Sequence, residues 1–497
     1  MADSTAILLT DEELKDAIKW AKDQLTGDRT KKYEKVRKYY DGDQDLNFAT
    51  DKFANAFGSL FQTFAYNRCG SVVDAIADRL QLKSLEPVVE EGAEPPEDVA
   101  KLSESLFRWN NLDRKQNDQV SETLKTGDAY AIVWLDGVAP DGTVYPTINI
   151  NPPENIIIRY DDEGKKRYAV KAWKLSDGKW RVTLYGQSAT YKYITPEKKD
   201  DFPAFENLVE FEALDASGVA EPWPILNNTG IVPVFHFNNN APEGEFGRSE
   251  LRDVIPLQDA LNKACTDLMV AMEYGAYPQR YATGLQLGLP DPVSGKIPSP
   301  FKAGPGETWT GPQGATFGSF EVANLEQFTK VQDSFDGKIS NVTRIPQYWF
   351  QMGSGGNLSG ETLKTADAPF VAKLTDRQTG YGSTWKELTS FCFLLMGKEG
   401  LQFNAIWKSA ELRSDTDKLQ EGVLKKQLGW SEEQIMRDYG LDNTTIERMA
   451  EEKKAALAEQ QAQFSAGLTG AMPAGGGNNP PGFTKRSTDT ENETPVA

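Results

Sequence analysis

The glycine-rich stretch GSGGNLSGET, residues 353–362, is the part of the sequence that most resembles a phosphate-binding motif. A P-loop requires the pattern G-x-x-x-x-G-K-[ST] between a strand and a helix, with a lysine that reaches the phosphates. The stretch has no lysine at the required place, and it follows a predicted helix instead of a strand. We therefore interpret Gly353, Gly355 and Gly356 as parts of a loop that needs unrestricted backbone torsions.

The side chains that most often carry catalysis or bind transition metals are sparse in this sequence. His236 is the one histidine, and it lies in the apolar run IVPVFHF, which predicts a strand residue with satisfied hydrogen bonds. The cysteines are far apart and odd in number, which argues against a disulfide framework or a zinc site. They are Cys69, Cys265 and Cys392. We predict no catalytic, cofactor-binding or metal-binding residue.

The sequence is strongly acidic, with a formal net charge of −19 over 497 residues. Acid pairs such as Asp161–Asp162 and Glu90–Glu91 lie in hydrophilic, turn-like sequence, so we interpret them as solvated charge and not as metal ligands. Proteins that hold nucleic acid tightly neutralise phosphates with Lys and Arg. We therefore expect that this protein does not bind DNA tightly, which leaves open that it handles DNA without holding it.

The composition indicates a globular protein of several domains, because 39% of the residues are hydrophobic and 26% are charged. No apolar run approaches the roughly 18 residues that cross a bilayer. The N-terminal sequence lacks a basic region followed by an apolar one, so we predict no secretory signal and no membrane partner. A reduced, cytoplasmic assembly environment is expected from the scattered cysteines.

The first half of the chain predicts helices followed by strands. Apolar residues recur at helical spacing from Thr10 to Tyr40 and from Asn67 to Leu80, and a third helix is predicted from Pro96 to about Lys125. Thr10 followed by Glu13 forms a capping box. Between Ala129 and Phe237, short β-branched and aromatic runs alternate with Asp/Gly turns, which predicts successive hairpins.

The second half predicts two helices around a Pro/Gly-rich excursion, then the glycine loop and a long helix. The first helix covers about Pro256–Gly275, and the second resumes at Ala323 and is ended by Pro346. The long helix begins after Ser359 and runs to about Met396. Pro369 inside it is expected to kink it. A strand within Leu401–Leu412 is predicted to return to an earlier sheet. The last predicted helices are Thr416–Leu428, Ser431–Tyr439 and Thr444–Phe464, and the polar tail from Ser465 is predicted to be disordered.

Several segments, taken together and in this order, resemble portal proteins of long-tailed (siphovirus-type) bacteriophages. They are YYDGDQDLNF (residues 39–48), NRCGSVVDAIADRL (67–80), GRSELRDVIPLQDALNKACTDLM (247–269), SNVTRIPQYWF (340–350) and NLSGETLK (357–364). The individual motifs are moderately specific. Their joint order covers roughly residues 10 to 460, and this order makes the resemblance strong.

The resemblance implies an α+β portal fold that assembles as a ring oligomer. The implied parts are an α/β wing (first part 10–246), a helical stem (247–277 and 325–345), a small α/β clip (278–324), a tunnel loop (346–358), a long kinked helix with a returning wing strand (359–414), a helical crown (415–464) and a disordered tail (465–497).

The function implied by the resemblance is a channel at one capsid vertex, typically of twelve subunits. Terminase, through its large subunit, would drive double-stranded DNA through the channel, and the genome would later be ejected through it. Other implied partners are the major capsid protein, the scaffold and a head-completion or adaptor protein of the head–tail connector. The protein would be assembled in the host bacterial cytoplasm and would then reside in the virion.

The resemblance also implies site residues. The DNA-facing tunnel loop would contain the uncharged residues Gln351, Met352, Gly353, Ser354, Gly355, Gly356 and Asn357. The candidate phosphate contacts that flank it are Lys338, Arg344 and Lys364. DNA passing such a loop would be contacted without sequence specificity.

Two other classes of protein remain as alternatives at this point. Another virion structural protein, such as a minor capsid protein or an adaptor, is one, although adaptors are short and lack paired stem helices. A packaging enzyme subunit is the other, and it would require a Walker lysine or an acidic metal triad. Neither feature is visible in the sequence.

Overall fold

The computed structural model describes residues 8–44, 66–88, 96–211, 220–276, 280–284, 313–319, 325–350, 360–411, 415–439, 441 and 443–469. The chain divides into two compact units, Met1–Lys418 and Leu419–Ala497. Helices and strands both contribute to the first unit, as the predicted α+β class requires, and the described part of the second unit is helical. The finer division into wing, stem, clip and crown stays a prediction.

Two helices occupy the region predicted as one helix from Thr10 to Tyr40. Helix α1 covers Asp11–Leu25 and α2 covers Asp28–Asp41. The capping box of Thr10 and Glu13 is confirmed. The break falls at Gly27, where a Cβ atom would lie 2.5 Å from the carbonyl oxygen of Asp23, so the close approach of the two backbones requires glycine.

The next helices also contain a break that the sequence analysis missed. Helix α3 covers Arg68–Ala77 and is capped by Asn67, whose side chain accepts from two backbone amides. The region predicted as one helix from Pro96 is divided into α4 (Glu97–Trp109) and α5 (Leu112–Thr126). Asn111 between them is in the left-handed region with φ 50°, a conformation that ends a helix and that asparagine tolerates better than most residues.

The predicted hairpins are confirmed as antiparallel sheets. The strands are β1 (Leu82–Pro87), β2 (Asp128–Val138), β3 (Val144–Asn151), β4 (Ile156–Tyr160), β5 (Lys166–Lys174), β6 (Trp180–Gly186), β7 (Ala189–Ile194), β8 (Val209–Glu210), β9 (Ile225–Leu226) and β10 (Val234–Asn238). One sheet has the order β10-β2-β3. A second has the order β4-β5-β6-β7-β8, with β9 paired to β7.

The two helices predicted around the Pro/Gly-rich excursion are present and pack against each other. They are α6 (Ile255–Ala276) and α7 (Glu326–Thr343). Between them, the short antiparallel strands β11 (Arg280–Thr283) and β12 (Thr316–Ser319) pair. The pairing brings the two ends of the excursion together, while residues 285–312 lie outside the described part of the chain.

The long helix α8 (Gly360–Leu395) continues through Pro369, and it supplies the centre of the core. Trp385 is fully buried, and its ring lies 5.2 Å from the Phe237 ring of β10. The predicted returning strand is confirmed as β13 (Phe403–Trp407), which pairs antiparallel with β1. Helix α8 therefore packs against two sheets whose strands come from distant parts of the sequence.

The second unit contains helices that agree closely with the predicted ones. Helix α9 (Asp415–Gln427) begins just before the unit boundary, and α10 (Glu432–Asp438) and α11 (Asn443–Thr469) follow. The prediction that the tail is disordered from Ser465 is wrong for residues 465–469, because α11 extends to Thr469. The helix ends in the sequence AQFSAGLT, which is compatible with a helix. Residues 470–497 lie outside the described residues.

Candidate functional site

The predicted DNA-facing loop, residues 351–357, lies outside the described residues. The site can therefore be described by the two segments that flank it, Glu326–Phe350 on one side and α8 on the other. We call the contacts that hold these two segments the loop base. All of them lie in the first compact unit.

The first flank is a tight turn held by its own side chains. Helix α7 ends at Thr343, and Arg344 adopts a left-handed conformation with φ 61°. The Ser340 hydroxyl donates to the Ile345 carbonyl oxygen at 2.6 Å, and the Thr343 hydroxyl donates to the Ile339 carbonyl oxygen at 2.8 Å. Pro346 then precedes a short 3-10 helix, Gln347–Trp349. Short polar side chains thus fix the direction in which the chain leaves the helix.

An arginine of α3 ties this flank to the rest of the unit. Arg68 Nε donates to Asp336 Oδ1 at 2.9 Å, and Nη2 donates to Asp336 Oδ2 at 2.6 Å. The same Nη2 donates to the Phe350 carbonyl oxygen at 3.0 Å. Because the guanidinium makes a planar fork that matches a carboxylate, this pair fixes geometry as well as charge. The last described residue before the loop is therefore anchored.

The second flank is held by Asp367 on α8. Its carboxylate accepts from the Tyr348 hydroxyl at 2.5 Å and lies 3.4 Å from Arg79 Nη1. Burial raises the pKa of Tyr348, and the hydrogen bond to Asp367 adds to that shift, so the phenol stays protonated as the donor. The Arg79 guanidinium also lies over the Trp349 and Phe370 rings. These contacts connect both flanks of the loop to each other.

A third set of contacts centres on Glu250, whose side chain is 9% exposed. Its carboxylate lies 2.7 Å from Lys373 Nζ and 3.0 Å from Arg377 Nη2, and both cations are on α8. Lys373 also donates to the Thr343 carbonyl oxygen at 2.9 Å, which ties α8 to the end of α7. Burial alone would raise the pKa of Glu250, but the charges of Lys373 and Arg377 hold it below its ordinary value.

The three predicted phosphate contacts lie on the two flanks, and each has an exposed side chain. Lys338 is on α7, with its Nζ 4.6 Å from the Phe335 ring centroid. Arg344 follows the last residue of α7, and Lys364 lies in the first turns of α8. The loop residues Gln351 to Asn357 lie between them in sequence. Whether any of the three contacts DNA stays a prediction.

A second buried polar cluster surrounds His236, and its geometry invites a test for catalysis. His236 Nε2 lies 2.8 Å from Asp128 Oδ1, and Nδ1 lies 2.9 Å from the Tyr160 hydroxyl. The prediction of a strand histidine with satisfied hydrogen bonds is confirmed. Burial raises the pKa of Tyr160 far above its ordinary value, so this hydroxyl is a poor nucleophile.

Asp128 in that cluster joins several elements. It also accepts from the Tyr33 hydroxyl at 2.8 Å, from Arg29 Nη2 at 2.8 Å and from the Gly247 backbone amide at 2.7 Å. Gly247 must be glycine, because a Cβ atom there would lie 1.9 Å from the Gly127 carbonyl oxygen. The cluster fixes the chain at the first residue of the predicted stem, so we interpret it as structural.

Sequence reasoning missed the ion pairs of the loop base. Arg68 and Asp336 are 268 positions apart, and a local pattern cannot reveal such a pairing. One signal was available: Asp336 interrupts the apolar face of α7 between Phe335 and Ile339. A carboxylate on a buried helical face needs a partner, although the sequence does not identify which one.

Among the described residues, no group of three or more His, Cys, Asp and Glu side chains is arranged to hold a metal ion. In the same part of the chain, none of the helices has the length and apolar character that a bilayer crossing requires.

Comparison with known proteins gives one family. The model of the family described as "Phage portal protein, SPP1 Gp6-like" matches residues 22–459. This range includes every contact of the loop base. No curated protein matches the chain.

Solved structures of phage-like particles show weaker likeness. A chain of "Neck of empty GTA particle computed with C6 symmetry" is 13% identical, over 78% of this chain and 93% of its own, with a TM-score of 0.44. A chain of "Virion of native gene transfer agent (GTA) particle" is 13% identical, over 75% and 89%, with a TM-score of 0.41. A chain of "Neck of native GTA particle computed with C12 symmetry" is 12% identical, over 80% and 95%, with a TM-score of 0.40. These scores are low, and the conclusions below depend on the family match.

Proposed function

Since the chain belongs to the SPP1 Gp6-like family of phage portal proteins, it is a structural protein of the virion at a capsid vertex, and we propose that twelve copies form a ring-shaped DNA channel there. The roles in genome packaging and ejection follow from the family. The observation that carries the proposal is the match over residues 22–459, which spans both compact units.

The parts of the ring follow the predicted divisions. We assign the wing to 10–246 together with the returning strand, the stem to α6 and α7, and the crown to 415–464. The packing of α6 against α7 supports a paired stem. The pairing of β11 with β12 supports the clip as one module, since this pairing closes the excursion at its base.

The clip is the proposed docking site for the terminase large subunit and, after packaging, for the adaptor. Its sequence is Pro/Gly-rich and nearly balanced in charge, which suits a segment that exchanges partners. A long excursion inside a compact domain is usually functional. Contacts with the major capsid protein and the scaffold, and assembly in the host cytoplasm, belong to the same proposal.

The tunnel loop is proposed to act as a steric collar around DNA. Residues 351–357 are uncharged, and the whole chain has a formal charge of −19, so the channel would guide the polyanion without trapping it. The loop base supports this role. Buried ion pairs at Asp336, Asp367 and Glu250 fix the flanks from which the loop extends.

Shortening the loop tests the collar. Removal of residues 351–357 should lower the amount of DNA packaged or retained per capsid. A control variant with a Gly/Ser loop of equal length should behave like the wild type, because a steric collar depends on length more than on side chains. Normal packaging and retention with the shortened loop would refute the assignment.

A further inference from the structure

A polar cavity of about 580 Å³ lies beside the loop base. It forms where the end of β10, the residues before α6, the end of α7 and the middle of α8 meet. Its volume falls within the roughly 300–1,000 Å³ that small-molecule sites occupy.

The cavity has more positive than negative side chains. Its cations are Arg248, Arg252, Arg344, Lys373 and Arg377, and its carboxylates are Glu250, Asp253 and Asp376. The lining therefore carries an excess of two positive charges. A second cavity of about 480 Å³ has Lys165 and Lys166 balanced by Glu243 and Glu387, so the excess is specific to the first.

Two of the five cations are already neutralised. Lys373 and Arg377 share the buried Glu250 carboxylate, and Arg377 Nη1 lies 2.7 Å from Asp376 Oδ2. These pairs form the floor of the cavity, and their hydrogen-bonding capacity is largely used. An additional anion would therefore be recognised by the remaining three cations.

Those three cations, Arg248, Arg252 and Arg344, are exposed at the cavity. Within the described ranges, no ion pair or side-chain hydrogen bond involves any of their guanidinium groups, and Asp253 is the one carboxylate of the lining without an ion pair. A guanidinium presents five donors in a planar fork that matches the oxygens of a phosphate. Three such groups around one cavity provide the hydrogen-bond donors that an oxyanion needs.

Backbone conformation supports a functional assignment of this cavity. Among the described residues, positive φ outside glycine occurs at Asn111, Asn240 and Arg344, and the last two line the cavity. Such conformations are uncommon, and they cluster where the surrounding structure holds residues for function. For Arg344, the left-handed turn places a long cation at the rim immediately after α7.

The electrostatic environment of Lys373 shows the same excess. Burial lowers the pKa of its amino group, and the charges of Arg377 and Arg344 lower it further, although Glu250 opposes both effects. An anion bound in the cavity would remove this repulsion. The direction of this pKa shift agrees with the excess of positive charge in the lining.

We propose that this cavity binds a phosphate group through Arg248, Arg252 and Arg344. The volume exceeds that of a bare phosphate, so the group would be carried on a nucleotide or on a DNA strand. The DNA form of the inference rests on the channel role proposed above, whereas binding of free phosphate or a nucleotide does not depend on it.

The test measures binding to the full-length protein by calorimetry, with inorganic phosphate, a nucleoside monophosphate and a short DNA duplex as separate probes at constant ionic strength. The double variant R252Q/R344Q should weaken binding of the recognised probe about tenfold or more, since it removes two charged hydrogen-bond donors. The control R114Q/R167Q removes the same charge from exposed arginines that do not line the cavity.

The probes distinguish the sources of the phosphate. If the free phosphate or nucleotide binds, and if this binding is lost in R252Q/R344Q but kept in R114Q/R167Q, the cavity is a small-molecule site. Binding of the duplex alone, with the same dependence, supports a contact with the DNA backbone. The inference is overturned if no probe binds, or if both double variants bind equally.

Electron microscopy of the same preparations separates this inference from the proposed function. Intact wild-type rings without phosphate binding would refute the phosphate site and leave the channel in place. A wild-type protein that forms no ring would refute the channel, whatever it binds. A third outcome is that R252Q/R344Q forms no rings and the wild type binds no phosphate. The cavity would then be a contact for an acidic segment of a neighbouring copy, which also overturns the inference.

Discussion

The loop base and the C-terminal unit use charged residues in opposite ways. In the loop base, buried ion pairs connect residues far apart in sequence, as Arg68 and Asp336 do across 268 positions. In the C-terminal unit, ion pairs are at least partly exposed and closer in sequence, as between Lys426 and Glu432. Buried pairs constrain geometry strongly, whereas exposed ones contribute little. The first region is therefore built to hold a fixed shape.

The two regions also differ in their apolar surface. The core around α8 buries Phe370, Tyr381 and Trp385 almost completely. In the C-terminal unit, α9 and the following turn leave large apolar side chains in solvent: Leu419 (70% exposed), Val423, Leu424, Leu428 (78% exposed) and Trp430. Exposed apolar clusters indicate an interaction surface. We expect neighbouring subunits of the ring to cover this face.

The largest effect is expected from removing the central carboxylate of the loop base. Glu250→Ala leaves Lys373 buried without a counter-charge and leaves Arg377 with only the exposed Asp376, which should lower the free energy of unfolding by about 3–5 kcal/mol. Chemical denaturation measures this. The exposed pair of Glu163 with Lys165 provides the control, and Glu163→Ala should change stability by no more than about 0.5 kcal/mol. Equal effects of the two substitutions would remove the contrast between buried and exposed pairs.

Acid should weaken the first unit through Asp128. Burial alone would raise its pKa, but the hydrogen bond from His236 and the charges of His236 and Arg29 hold it below its ordinary value of 3.8. Because the folded-state pKa of Asp128 is lowered, its carboxylate stabilises the folded state above about pH 4. This contribution is lost as the pH falls further.

Asp128→Asn should therefore lower the free energy of unfolding by about 1.5–3 kcal/mol at pH 7. It should also reduce the loss of stability that wild type shows at acidic pH. Thermal melts from pH 7 to pH 3 measure both. Asp118→Asn, at an exposed position on α5, is the matched control and should keep the wild-type slope. A D128N profile parallel to that of wild type would contradict the role assigned to Asp128.

In the C-terminal unit, an exposed and a buried apolar residue should respond differently. Leu428→Ser should change local stability by less than about 0.5 kcal/mol, yet lower the yield of rings. Ile435→Ser, at a buried position of the same unit, should destabilise α10. Hydrogen exchange of α10 in the full-length protein and ring counts by electron microscopy measure the two effects. Normal ring yield with L428S would show that this face is not a subunit contact.

The smallest effect is expected at Glu432, which accepts from Lys426 at 2.5 Å and also from Lys453. These hydrogen bonds lower its pKa to about 2. Glu432 is partly exposed and lies at the surface, so Glu432→Gln should shift the melting temperature within experimental error, and salt should abolish any shift. A shift as large as that of E250A would contradict the comparison.

Local sequence signals predicted the elements well and their interruptions poorly. The capping box at Thr10 and Glu13 marked the start of α1, because a cap depends on neighbours in sequence. The breaks at Gly27 and Asn111 were missed, because tertiary packing decides whether a permissive residue ends a helix. The extension of α11 to Thr469 was missed because its composition suggested a linker.

The sequence predicted the helices that flank the site, but it did not predict the contacts that hold them. The predicted order of a helix and a long helix on either side of residues 351–357 is confirmed by α7 and α8, and the tunnel loop between them stays a prediction. The carboxylates that hold it pair with cations from other helices, and such pairs depend on how α3, α7 and α8 pack. Asp336 and Glu250 each need a partner, but the sequence offers 54 cations. Only the fold selects among them.

The most direct test of the central claim is electron microscopy of the purified full-length protein. The account predicts closed rings of twelve copies with a central hole, with the uncharged residues 351–357 nearest the axis. Monomers, or open assemblies without an axial channel, would contradict it.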